Sequence, residues 1–248
     1  MKKRIRTACV VLLIFSMLFA LIGCGSSGND DQGGADQTSP AVTAESTESG
    51  SVSDAELQDE AVTDAPSEES ENGTDILVVY FSRTGEQYTV GVIDEGNTAI
   101  VAKMIGEATG ADLFEVLPEN DTYPMTYDEL TEVAKQEQND NARPAYAGEA
   151  PDLSKYDTIF IGSPVWWGDW PMIMYTFFEE NADALSGKTL IPFCTHEGSG
   201  LSGFDTKLSS VCPDSTVLDG LAIRGNDAQN AQDDVRGEVE EWISGLGL

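Results

Sequence analysis

The chain has 248 residues, enough for one large or two small domains, with 44 acidic against 13 basic side chains and a formal net charge of -31. That balance excludes a nucleic-acid binder working by phosphate neutralisation, and it argues against direct binding to an anionic lipid surface. Four cysteines are too few for a disulfide-dense scaffold, and a single histidine, His196, argues against a multi-histidine metal site.

Residues 1–23 read as a signal peptide. Lys2, Lys3, Arg4 and Arg6 open it, and a short apolar run over residues 8–22 follows, interrupted only by Ser16. That run is too short for a comfortable membrane span, which needs about 20 residues. It ends Leu21-Ile22-Gly23-Cys24, which resembles the bacterial lipobox, whose cysteine is lipidated and becomes the mature N-terminus. An ordinary signal peptide that happens to contain a cysteine is the alternative. Residues 24–74 then hold the lipidated Cys24 and an acidic tether. After Cys24 this segment carries thirteen acids, no base and no aromatic residue, so it cannot bury enough apolar surface to offset its ordering entropy. The expected location is the cell membrane, lipid-anchored, with the globular part on the extracytoplasmic side. Lys2-Lys3-Arg4-Ile5-Arg6 has no adjacent arginine pair and so is unlike a twin-arginine signal. Unfolded export would mean that any cofactor is acquired outside.

Residues 75–248 read as one globular domain. Residues 76–81 form a continuous β-branched and aromatic run, the pattern of a strand buried on both faces. A helix is predicted over 97–107 with Asn97 as its N-cap, then a strand of mixed polarity over 112–117 and a helix over 127–136. Residues 158–161 are a buried strand, and Pro171 opens a helix running to residue 180. A strand follows over 189–194, although Pro192 is awkward in a central strand. A weak helix over 201–211, a strand over 216–223 and an amphipathic helix over 231–246 complete the chain. Strand and helix alternate, which argues for an α/β fold with a doubly wound, five-stranded parallel sheet. Ligands of such folds bind outside the carboxyl ends of the strands.

Three loops there carry the chemistry. The first holds Ser82, Arg83, Thr84 and Gly85, and Asn97 and Thr98 open the next helix. Hydroxyls, backbone N–H groups and a helix N-terminus suit a phosphate monoester, with Arg83 as the formal cation. A glycine-containing turn with an ordinary cap is the alternative. The second loop runs Gly162, Ser163, Pro164, Val165, Trp166, Trp167, Gly168. Its two indoles offer flat faces for a planar heterocycle, or else plug the core. The third contains Thr195, His196, Glu197, Gly198, Ser199 and Gly200. Its glycines allow close backbone approach to a ligand. His196 and Glu197 could form an acid–base pair with His196 as proton donor, or His196 is a hydrogen-bonded structural residue. Cys194 reads as a small strand residue and not as a nucleophile.

The three loops in this order resemble those of the flavodoxin family. Ser82, Thr84 and Gly85 match its phosphate loop, with Asn97-Thr98 as the displaced end and residues 86–96 as an insertion. Ser163 to Gly168 and Cys194 to Gly200 match a subgroup with Pro-x-Trp-Trp-Gly and Thr-His-Glu-Gly-Ser-Gly loops. The resemblance implies strand order 2-1-3-4-5 and FMN as cofactor, with ring contacts from the second and third loops and no resident metal. Three functions follow as expectations: an electron-transfer protein whose partners carry basic surfaces, an FMN-dependent quinone or small-molecule oxidoreductase, or a flavin-free surface binding module on the same fold.

Overall fold

The computed structural model of the protein describes residues 75–248. The signal peptide, Cys24 and the tether lie outside the described residues. The central strands β1 (Ile76–Tyr80), β5 (Thr158–Pro164) and β6 (Thr189–His196) are the apolar runs. Two three-residue strands intervene, β2 (Gly85–Gln87) and β3 (Gly91–Ile93), followed by β4 (Asp112–Glu115) at one edge of the sheet. The other edge is β7 (Thr216–Val217) and β8 (Leu221–Arg224), both paired with β6. Every pair in the main sheet is parallel, in the order β4-β1-β5-β6 and then β7 and β8. By position this is the expected order 2-1-3-4-5, with the fifth strand in two pieces.

Pro192 gives the break a physical reason. It has no N–H to donate, and it falls between the residues of β6 that pair with β7 (Thr189 and Leu190) and those that pair with β8 (Phe193 to His196). Gly220 makes the jog between the two pieces. A Cβ there would stand 2.6 Å from the Pro192 carbonyl oxygen.

Side chains alternate across the sheet as a period of two requires. Val78, Tyr80 and Phe160 enter one core with α1 (Asn97–Thr109) and α7 (Gln232–Leu246), where Ile105, Val239 and Ile243 are buried. Leu77, Val79, Ile159 and Ile161 enter the other with α2 (Tyr127–Asp140), α3 (Met172–Glu180) and α5 (Phe204–Val211). The short helices α4 (Ala182–Leu185) and α6 (Gly225–Asn230) lie in connections. Among the described residues no helix is long and apolar enough to cross a membrane.

Three local readings change. β5 and β6 run on to Pro164 and His196, so the starts of the second and third loops belong to the sheet. Helix α1 is capped by Gly96, not Asn97; Asn97 is its first helical residue, and its side-chain oxygen accepts from Gln229 Nε2 (2.9 Å). The insertion over residues 86–96 contains the antiparallel hairpin of β2 and β3.

Candidate functional site

Parallel pairing brings the carboxyl ends of β1, β5 and β6 side by side. The Phe81 N–H donates to the Gly162 carbonyl and the Val165 N–H to the Thr195 carbonyl, each at 2.9 Å. At the β1 end the chain is packed tightly under α1. The Ser82 hydroxyl accepts from the Ala99 N–H (3.0 Å), and the Ile100 N–H donates to the Gly96 carbonyl (3.2 Å). The N–H groups of Asn97 and Thr98 have no intrahelical acceptor and carry the positive end of the helix dipole. A Cβ on Gly96 would lie 2.1 Å from Ser82 Oγ and 2.7 Å from the Arg83 carbonyl, so only glycine fits. Thr98 and Thr195 share a buried hydroxyl hydrogen bond of 2.7 Å, which ties the first loop's helix to the third loop's strand.

Arg83 does something other than supply a free cation. Its guanidinium is buried against Asp121 (2.7 and 2.9 Å), donates to the Tyr123 carbonyl (3.1 Å) and lies over the Tyr123 ring. Its charge is thereby neutralised within the protein. Ser82, Arg83 and Thr84 border a depression of about 200 Å³ together with Glu95, Lys103 and Glu115. Lys103 there is paired with Glu95, and burial raises the Glu115 carboxyl above its usual range. Gly85 begins β2 at φ +87°, where a Cβ would meet the Met125 carbonyl at 2.8 Å.

The second loop is a tight turn. Trp166 and Asp169 exchange N–H···O bonds of 2.9 and 3.0 Å, and the two residues between them, Trp167 and Gly168, have φ of 51° and 72°. Two successive positive φ angles are the requirement of a type I′ turn. Glycine takes that conformation freely, but tryptophan does so at a cost of about 1–3 kcal/mol. Trp166 packs edge-on against Phe81 (5.4 Å) and Tyr123 (5.3 Å). Trp167 is 54% exposed. Its indole N–H donates to the Thr131 carbonyl of α2 (2.9 Å), and Lys135 Nζ lies 5.0 Å from its ring centroid. Before this turn, Ser163 is fully buried and donates to the Pro164 carbonyl (3.1 Å).

In the third loop His196 and Glu197 make no hydrogen bond to each other, and of the two readings the hydrogen-bonded structural histidine is the one seen. His196 Nδ1 accepts from the Gly198 N–H (2.8 Å), and burial is the main cause that holds its pKa below the ordinary histidine value. It is therefore a neutral ring clipped to its own loop. Glu197 turns the other way, accepting from the Asn226 N–H (2.7 Å) with its second oxygen 3.5 Å from Arg224. Gly198 and Gly200 have φ of +119° and +62°, conformations that explain both glycines. The Cys194 thiol donates to the Gly200 carbonyl (3.4 Å), and burial pushes its pKa up to about 12, so it is inert as a nucleophile.

Between these loops lies a cavity of about 310 Å³. Asn97 borders it from the first loop, Pro164, Val165, Trp166, Trp167 and Gly168 from the second, and Thr195, His196 and Glu197 from the third. Ser82, Arg83, Thr84, Gly85, Thr98, Ser163, Gly198 and Gly200 stand outside its lining. Ser199 of the third loop borders it too, and the remaining wall is one that sequence reasoning missed: Gln87 and Tyr88 from the hairpin and Tyr127, Leu130, Thr131 and Ala134 from α2. Tyr88 stacks on Tyr127 (5.4 Å, 29°). The hairpin is clipped to α2, because the Glu86 N–H donates to the Met125 carbonyl (2.8 Å) and the Glu86 carboxylate accepts from the Tyr127 N–H (2.9 Å). The one signal for this wall was Tyr88 itself, the sole aromatic of the insertion over residues 86–96. Among the described residues no group of three or more histidine, cysteine, aspartate or glutamate side chains could hold a metal ion.

A family model described as Flavodoxin matches residues 75–244, more than half of the chain. Among solved structures the chain is similar to a candidate flavoprotein from Bacteroides uniformis ATCC 8492, at 29% identity and a TM-score of 0.54, covering 69% of this chain and 99% of that one. It is also similar to a candidate flavoprotein from Bacteroides eggerthii DSM 20697, at 30% identity and a TM-score of 0.54, covering 70% and 98%. No curated protein matches the chain.

Proposed function

Because the chain belongs to the flavodoxin family, we propose that its cavity holds FMN and that the protein transfers electrons. One observation carries this reading: an aromatic-walled cavity of about 310 Å³ runs up to Asn97 at the open end of α1. A flat heterocycle suits the Trp166 and Trp167 walls, and a phosphate suits the Asn97 and Thr98 N–H groups. The cavity stands at the small end of the range of about 300–1,000 Å³ typical of ligand sites. Bound flavin would supply reversible one- or two-electron chemistry.

The chain's own residues supply binding and field. Pro164 to Gly168 and Thr195 to Gly200 hold and orient the ring. The phosphate end would extend past Asn97 beyond the cavity lining, toward Ser82 and Thr84, and would be met by the neutral N–H groups of Asn97 and Thr98, since Arg83 is committed to Asp121 and the Thr98 hydroxyl to Thr195. His196, clipped at Nδ1 by the Gly198 N–H, orients its loop. The excess of acids makes added negative charge at the cavity less favourable, which lowers the reduction potential, and it steers basic partner proteins. Cys24 carries the lipid anchor that holds the domain at the cell envelope; the Leu-Ile-Gly-Cys ending of the apolar run supports this.

The test is a titration of flavin-free protein with FMN and with riboflavin, followed by flavin absorbance and indole fluorescence. FMN is expected to bind the more tightly and to quench the tryptophans. Absence of any flavin binding overturns the reading. Cys24→Ala is expected to release the domain from the membrane fraction or to leave an unprocessed precursor.

A further inference from the structure

Lys207 lies in the first turn of α5, where the helix dipole disfavours a cation, so the helix itself gives no reason for a lysine there. Its ammonium group reaches out of α5 instead. It donates to the Gly168 carbonyl, to the Ser202 carbonyl (2.9 Å), and pairs with the Asp169 carboxylate (3.3 Å). Both carbonyls sit at backbone held in the left-handed region. Gly168 follows Trp167, and both have positive φ; Ser202 is itself a non-glycine residue at φ 53°. One ammonium group therefore joins two strained turns, one from each loop that flanks the cavity.

Asp169 is in turn fixed. Its Oδ1 accepts from the Trp170 N–H (2.8 Å) and the Tyr175 hydroxyl (2.9 Å). The lysine side chain is 31% exposed, and three charge-assisted contacts in a partly desolvated place outweigh the rotamer freedom it loses. Nothing else on α5 reaches both loops by a hydrogen bond or ion pair among the described residues.

We propose that Lys207 is the positioning residue of the ring end of the cavity: by bridging the Gly168 and Ser202 carbonyls it sets the spacing of the Trp166–Asp169 turn and the 198–203 loop. What the cavity holds rests on the FMN reading above; the bridge itself does not.

The experiment uses the full chain and has two arms. In the first, hydrogen exchange is followed in flavin-free wild type and Lys207→Met, which keeps the aliphatic stem and loses all three contacts. Exchange is expected to quicken about tenfold in residues 166–170 and 198–203 and to stay unchanged in residues 96–100 at the start of α1. Unchanged exchange in the two loops overturns the proposal, and so does a uniform rise across the chain, the mark of a merely structural lysine. In the second arm FMN and riboflavin are titrated. Both are expected to weaken by the same factor of about ten, because the phosphate end is untouched. A loss confined to FMN overturns the proposal. If wild type binds neither flavin while the exchange pattern appears, the FMN reading fails and the bridge stands. Should Lys207→Met not fold, Lys207→Gln, which keeps one amide donor, is expected to give the same pattern at smaller amplitude, and its absence there overturns the proposal.

Discussion

At the α1 end of the cavity the fit comes from close packing on ordinary backbone: Gly96 at φ -68° and ψ 143° seats directly over Ser82 Oγ, and Thr98 meets Thr195. At the loop end Trp167, Gly168 and Ser202 occupy left-handed backbone; Thr131 and Lys207 reach in from α2 and α5 to hold them, and Asp169 of the turn itself pairs with Lys207. The first end is closely packed, with no room even for a Cβ on Gly96. The second is held by long-range hydrogen bonds against strain of about 1–3 kcal/mol at each non-glycine residue, Trp167 and Ser202. On the proposed FMN reading, the phosphate would need fixed N–H groups, which neutral close packing would provide, and the aromatic walls facing the ring would need the supports that reach the turn from α2 and α5.

The α1 end is expected to be most sensitive at Gly96. Gly96→Ala puts a methyl 2.1 Å from Ser82 Oγ and 2.7 Å from a backbone oxygen, and is expected to cost about 3 kcal/mol, read as a shift of the denaturation midpoint. A tolerated alanine would mean that the α1 end is not closely packed. Next in size is Thr98→Val, which leaves the buried Thr195 hydroxyl without its partner. A loss of about 1–3 kcal/mol is expected, most of it recovered in the Thr98→Val, Thr195→Val double variant.

Trp167→Gly sharpens the contrast because it separates stability from binding. Glycine relieves the positive φ while the Thr131 and Lys135 contacts go, so the net stability change is expected to fall within about 1 kcal/mol of zero. Flavin affinity is expected to fall about tenfold, the value of one lost stacking contact. Destabilisation as large as that of Gly96→Ala would put both ends on the same plan. The smallest effect is at His196. Its pKa is depressed below 6.5 mainly by burial, so the unfolded chain takes up a proton that the folded one resists. Its contribution to stability is complete above pH 6.5 and declines as pH falls from there toward the folded value. Protonation also removes the Nδ1 acceptor for the Gly198 N–H. His196→Gln is expected to flatten that part of the stability–pH curve, which thermal melts across pH 5–8 would measure.

The central strands were legible because β1, β5 and β6 are buried on both faces and so spell continuous apolar runs, whereas their order came only from the resemblance of the three loops. The loops were legible because function at a strand's carboxyl end concentrates Gly, Trp and hydroxyl residues in short stretches. The hairpin of β2 and β3 was not. Each strand is three residues long and mixed in polarity, and its place is set by Glu86 bonding to Met125 and Tyr127, about forty residues on in the chain. Arg83 misled for a similar reason. A cation beside hydroxyls and glycine reads locally as a phosphate ligand, while its partners Asp121 and Tyr123 are remote in sequence. The split of the last strand had a visible cause in Pro192, but only the paired register puts that proline opposite the gap between β7 and β8.

That split has a consequence for self-association. The free edge of a sheet is a template on which another extended chain can add, and the hazard grows with the length of its unpaired N–H and C=O row. Here the row stops after the two residues of β7, jogs at Gly220 and resumes for only the four residues of β8. Neither piece offers the six or seven consecutive residues on which stacked fibrillar assemblies build. Many copies could therefore sit close together with this edge exposed and still not zip into a common sheet, a protection that Pro192 confers from one strand inside the edge it guards.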